Sequence, residues 1–344
     1  IIKITNNKRK NMNIKKIGMT ALAASLVSTS VFAGELTATG SASITVENYS
    51  GEQINTGKAF TMADSVILSG STELDNGMTV SMSFELDDGA DATPGSFDDH
   101  SVTISSDTLG TFKFSGNSGS SAVSAMDATA AGDIWDTFDG QTLNAAAAVE
   151  TASAVGNAGM LTAPGGANTM LYTLPSFVDG LAVTASYTPQ GSVTSGTESS
   201  TAYGLTYTGV EGLSVSYGAG TSDSGATATK ADVTTMKATY AYGPITLGYS
   251  DHEYDSVTAT RDQDVKSYSV AYTVSDAISI SYGTDEFSTG EASTVDAEFS
   301  KISASYTAGG MTITATSAEA ENISYTTGST EDQDYWSLGL SFAF

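Results

Sequence analysis

Large apolar residues recur at every second position along most of this 344-residue chain. Leu36, Ala38, Ala42, Ile44 and Val46 alternate with Thr37, Thr39, Ser41, Ser43 and Thr45. Met78, Val80, Met82, Phe84 and Leu86 alternate with small or polar residues, and so do Leu181 to Tyr187, Met236 to Tyr242 and Tyr268 to Val274. A period of two is that of a β-strand with one apolar face. The chain closes on the same pattern in "DYWSLGLSFAF", with Trp336, Leu338, Leu340, Phe342 and Phe344 on one face and Tyr335, Ser337, Gly339, Ser341 and Ala343 on the other. A terminal segment normally frays unless its neighbours tie it down.

The connections between these runs alternate in length. Short ones carry turn chemistry: Asp75-Asn76-Gly77, Asp107 to Gly110, Val178-Asp179-Gly180, Gly209 to Gly212, Gly243-Pro244, Ser275-Asp276 and Ala308 to Gly310. Asn-Gly and Asp-Gly supply the positive φ of tight hairpins. Between them lie longer polar segments near 49–62, 87–99, 117–167, 189–199, 219–231, 251–263, 284–295 and 319–332. Seven short and eight long connections predict sixteen strands, with both termini on the short-turn side. A soluble sandwich also alternates, but short turns at one end and long loops at the other are the signature of an outer-membrane barrel. A barrel in lipid leaves no open edge, so the last strand is expected to close on the first. The predicted fold is all-β: a 16-stranded antiparallel transmembrane β-barrel with short periplasmic turns and long external loops.

Tyrosine placement fits two interfacial girdles. Tyr187, Tyr217, Tyr249 and Tyr282 fall near the external ends of upward strands; Tyr207, Tyr240, Tyr242, Tyr272 and Tyr306 fall near the periplasmic ends of downward ones. Leu213 to Tyr217 is too short for the ~9–11 residues of a spanning strand, so several strands must continue into the segments taken as loops.

Residues 12–33 read as a secretory signal peptide: Lys15 and Lys16, a short apolar stretch, then Val31-Phe32-Ala33 for cleavage. Residues 1–11 precede a plausible start at Met12 and read as an upstream extension, leaving 34–344 as the barrel. The first 33 residues hold six bases and no acid, so the remainder carries 13 − 6 = 7 bases against 39 acids, a formal charge of −32. Such a surface excludes general nucleic-acid binding. Cysteine is absent, so an exported chain of this kind has no disulfides to lean on.

The chain resembles the trimeric general porins of Gram-negative outer membranes, in the style of the Rhodobacter-like, α-proteobacterial type. "DTLGTFKFSG" (107–116) is similar to the turn and fifth strand of that family, "NTMLYTLPSFVDGLAVTASY" (168–187) to its sixth and seventh strands, and "LGLSFAF" to its ending. The resemblance implies a water-filled channel for passive diffusion of small hydrophilic solutes and ions in a homotrimer embedded in outer-membrane lipid. It also implies that Phe344 is read by the barrel assembly machinery. In such porins the third external loop folds inward to narrow the channel.

Here that loop is 117–167, with Asp127, Asp133, Asp136, Asp139 and Glu150. A loop this long is unusual unless functional. No Lys or Arg occurs between Lys113 and Lys230. By parity Lys113, Lys237 and Lys301 point inward, too few for the basic cluster that the family places opposite the loop. Carboxylates in a confined pore favour cations, so cation preference is expected. Trp135 either pins the loop to the wall or offers a stacking platform for sugars.

Other chemistry is sparse. His100 and His252 lack a metal-ligand spacing and are expected at the surface. No nucleophile motif and no cofactor fingerprint occurs, so an enzyme is not expected. The run 87–99 could bind structural calcium through Asp87, Asp88, Asp91, Asp98 and Asp99, but it lacks the register of an EF-hand, and a solvated acidic loop is the plainer reading. Alternatives to the diffusion channel are a substrate-selective porin, marked by a file of aromatic and basic residues that this sequence lacks, and a surface adhesin or structural barrel.

Overall fold

A computed structural model describes residues 36–51, 57–87, 97–138, 160–161, 165–189, 199–222, 230–259, 262–290, 294–323, 325, 327 and 332–344. The proposed signal peptide and upstream extension lie outside them. Sixteen strands form one closed antiparallel barrel in which each strand pairs with its sequence neighbours and the last pairs with the first. They are β1 (Thr37–Gly51), β2 (Gly57–Glu73), β3 (Thr79–Asp87), β4 (Asp99–Ser106), β5 (Gly110–Asn117), β6 (Thr169–Thr173), β7 (Leu181–Thr188) and β8 (Ser200–Val210). The second half comprises β9 (Leu213–Ser222), β10 (Ala231–Tyr242), β11 (Ile245–Ser256), β12 (Gln263–Ser275), β13 (Ile278–Thr289), β14 (Ala297–Ala308), β15 (Met311–Glu321) and β16 (Gln333–Ala343). Short strands do extend into the segments read as loops: β9 runs on to Ser222, and β2 begins at Gly57.

Closure holds the chain end. β1 and β16 pair from Ser41↔Ala343 to Gly51↔Gln333. The ladder continues one step further, with Gly40 N donating to Phe344 O at 2.7 Å and Phe344 N to Gly40 O at 2.9 Å. A Cβ at Gly40 would lie 2.5 Å from the Phe344 ring, so the terminal ring lies over a position that has no side chain. That contact gives Gly40 a use within the barrel itself.

The outward face follows the predicted parity. Tyr187, Tyr207, Tyr217, Tyr240, Tyr242, Tyr272, Tyr282 and Tyr306 are all exposed on it, and Tyr249 packs against Tyr268 with ring centroids 5.3 Å apart. Towards the external ends the same parity passes from apolar to acidic: Glu253 on β11, Glu286 on β13, Glu298 on β14, and Glu319 and Glu321 on β15 are all exposed. The apolar band ends there, as charge on the lipid side is tolerated only near the interface.

The inner face departs from a uniformly small, polar lining. Towards the external ends of β8 to β15 inward side chains are buried, because loop residues cover them. Ile134 and Phe138 of the third loop, Val265, Phe287 and Phe299 of the wall, and Ile323 and Tyr325 beyond β15 form one apolar cluster inside the barrel. Ala122 and Val123 pack with Ala202, Ala231, Val233 and Tyr254 in a second.

Candidate functional site

The third connection, L3, runs between β5 and β6 over residues 118–168. Gly119 and Gly166 form an isolated antiparallel bridge that ties its two ends together. Inside the barrel the outgoing limb follows the wall, and its backbone is held by one strand after another. Ser186 Oγ on β7 accepts from Ala122 N, Ser250 Oγ on β11 from Ala130 N and Ser267 Oγ on β12 from Ala131 N, each at 2.9 Å. Asp285 Oδ2 on β13 accepts from Ile134 N at 2.8 Å. Tyr49 on β1 donates its hydroxyl to Thr137 O at 2.8 Å. A buried backbone group without a partner is costly, so these wall side chains decide where an irregular segment can lie.

Space for that path comes from missing side chains. A Cβ at Gly283 on β13 would meet Ala131 Cβ at 2.6 Å, and one at Gly218 on β9 would meet Met126 Sδ at 3.0 Å. The loop's own turn is built locally. Asp133 Oδ1 accepts from Thr129 N at 2.8 Å, and Asp133 N donates to Thr129 Oγ1 at 2.7 Å. Gly132 and Asp133 take φ of 79° and 47°, where Asp is among the more tolerant non-glycine residues. A 3₁₀ turn, Ile134–Phe138, follows and buries Ile134 and Phe138.

The predicted site residues divide into two groups. Asp136 is exposed, Asp127 is half-buried, and Asp133 serves the Thr129 turn. Trp135 packs edge-on against Phe287 of β13 with ring centroids 6.3 Å apart. Lys237 and Lys301 do point inward, but they hold L3: Lys237 Nζ donates to Ala128 O at 2.7 Å and Lys301 Nζ to Gly132 O at 3.1 Å. Lys113 lies on the inner face of β5, between outward Phe112 and Phe114. Asp139 and Glu150 lie outside the described residues, as does 88–96 of the acidic run considered for calcium. Among the described residues no group of three or more His, Asp or Glu side chains is placed to hold a metal ion.

His252 is a correction. Far from being a surface residue, it is 2% exposed on the inner face of β11. Its Nε2 lies 2.6 Å from Leu161 O on the returning limb of L3, and its Nδ1 is hydrogen-bonded to Thr235 Oγ1 on β10. A carbonyl only accepts, so Nε2 carries the proton and Nδ1 accepts from the threonine. Leu161 N donates in turn to Gln263 Oε1 at 2.7 Å, and Gln263 Nε2 to Tyr325 OH at 3.1 Å. Burial pushes the Tyr325 hydroxyl above its ordinary pKa, so it stays neutral within this network. His100, by contrast, is exposed.

A closed sixteen-stranded barrel with an apolar outer band and a loop seated in its lumen is a transmembrane channel of the outer-membrane type. The chain belongs to the Gram-negative porins, whose family model matches residues 18–299, and it is therefore an outer-membrane protein of a family of channels. Solved porins share its fold. An anion-selective porin from Comamonas acidovorans superposes with a TM-score of 0.63 at 15% identity, and a porin refined at 1.8 Å with 0.64 at 18%. A triple mutant of Rhodopseudomonas blastica porin gives 0.61 at 15%. In each case 90% of this chain and 100% of the other are covered. A search of curated proteins by sequence gave no significant match.

Proposed function

We propose that this porin is a passive, water-filled channel for small hydrophilic solutes and ions, with L3 as its constriction and with a preference for cations. The disposition of charge around L3 carries the reading. Asp127, Asp133 and Asp136 lie on the loop, and Lys237 and Lys301, which keep their charge while donating to L3 carbonyls, lie against it. With Glu47 and Glu85 on the inner faces of β1 and β3, these five carboxylates outnumber the three lysines, Lys113 on β5 included. Carboxylates in a narrow aqueous pore concentrate cations, more strongly than on an open surface. The Comamonas neighbour is described as anion-selective, but at 15% identity only the fold is shared, and selectivity follows each chain's own charges.

The native assembly on this reading is a homotrimer. Phe60 and Met62 on β2 stand 80% and 61% exposed on the outward face, opposite Val46 and Ile44 of β1. A second copy would cover them. The seating of Phe344 against β1 leaves its ring accessible for recognition during assembly. Single-channel recording in planar bilayers, with a reversal potential measured across a potassium chloride gradient, tests the channel and its selectivity together. A chloride-selective reversal potential would overturn the cation assignment, and absence of conductance would overturn the channel itself.

A further inference from the structure

Beneath L3, on the side of the short turns, the inner wall forms a recess of about 330 Å³. We propose that it is a resting station for one monosaccharide-sized, uncharged polyol in transit, an inference that rests on the diffusion-channel reading above. Its volume falls at the small end of the ~300–1,000 Å³ typical of small-molecule sites. Its chemistry differs from the acidic path of the loop. Among the described residues that line it the only charged side chain is Lys237, and no carboxylate is present. A cation gains nothing there, while a neutral solute rich in hydroxyls does.

The hydrogen-bonding groups come from adjacent strands. Thr206 on β8 and Ser216 on β9 share a hydrogen bond of 3.0 Å between their hydroxyls, which uses one proton of the two and leaves the other for a solute oxygen. Ser214 and Thr239 add hydroxyls below them, on β9 and β10. Lys237 Nζ gives L3 one bond at 2.7 Å and a second, longer one at 3.5 Å, so its third proton is available to the recess. Met126 in the roof and Leu171 on β6 supply an apolar patch. A sugar ring presents the same duality, with an edge of hydroxyls and a face of C–H groups. The ladders from β7 to β10 hold these side chains in register, the β8–β9 pairing shifting only beyond Tyr207↔Val215, so the station is preformed.

The test is current noise in planar bilayers. With the purified full channel in potassium chloride, glucose added on the short-turn side should produce concentration-dependent excess noise at unchanged mean polarity. A polyethylene glycol of similar size, which lacks the array of hydroxyls, should lower current only through viscosity. Combining Thr206→Val, Ser216→Ala and Thr239→Val should raise the half-saturating glucose concentration by roughly tenfold or more, since losing a neutral hydrogen bond costs about a factor of five. Leu171→Trp, which fills the recess without removing a hydroxyl, should abolish the noise as well. Each variant is checked for a heat-dependent shift in gel mobility before recording. Normal conductance without glucose noise in the wild type, an unchanged half-saturating concentration in the triple variant, or noise that survives Leu171→Trp would overturn the station. Absence of any wild-type conductance would instead bring down the channel reading on which it rests.

Discussion

Replacing Gly283 by alanine should drive L3 off the wall. The new Cβ would sit 2.6 Å from Ala131 Cβ and 3.1 Å from its Cα, where ordinary contact begins at 3.4 Å. The shortfall is about 0.8 Å, and neither atom belongs to a flexible side-chain end that could swing away. On the other side stands Tyr268 O at 3.2 Å, part of the rigid β12 ladder, so the loop must yield. A displacement of that size stretches the 2.9 Å bond from Ala131 N to Ser267 Oγ to about 3.7 Å, past useful hydrogen-bond length. Together with strain on the neighbouring Ile134–Asp285 bond, the cost is about 1–3 kcal/mol. The loop has only the lumen to move into, so single-channel conductance should fall and open-channel noise should rise. Adding Ala131→Gly removes the clash and should restore both. Unchanged conductance in Gly283→Ala, or failure of the double variant to recover with the barrel intact, would refute this account of the loop's seat.

Asp136→Asn should lower cation preference in a reversal-potential measurement, and the effect should shrink between 0.1 M and 1 M salt as the Debye length falls from ~10 to ~3 Å. Asp133→Ala should disturb the loop as well as its charge, because it removes the acceptor of Thr129 N at a cost of about 1 kcal/mol, read as added noise in the open channel. His252→Phe leaves Leu161 O and Thr235 Oγ1 without their partner and should make L3 more susceptible to limited proteolysis, while the barrel still shows its heat-dependent gel shift. Phe344→Ala keeps both backbone bonds to Gly40, so the refolded barrel should melt within about 1 kcal/mol of wild type. Its yield in the outer membrane should fall; equal yield would remove the terminal ring from the assembly signal.

Period-two alternation determined most of the wall without help from the fold. A strand's side chains alternate by local geometry alone, so the outward tyrosines and the inward direction of Lys237 and Lys301 could be counted along the chain. The same count, carried past Tyr282 and back from Ile302, would have placed Phe287 and Phe299 inside the barrel; their bulk, on a face expected to be small and polar, was the overlooked signal for something packed against them. L3 has no period to read. Its position depends on bonds such as Ala131 to Ser267 and Leu161 to Gln263, between residues 136 and 102 apart in sequence, and on the space left at Gly283. Only closure of the barrel brings these groups together. It is also what turned His252 from a polar residue near a strand end into a buried clamp, and what set Lys237 and Lys301 to holding the loop instead of facing it across the pore.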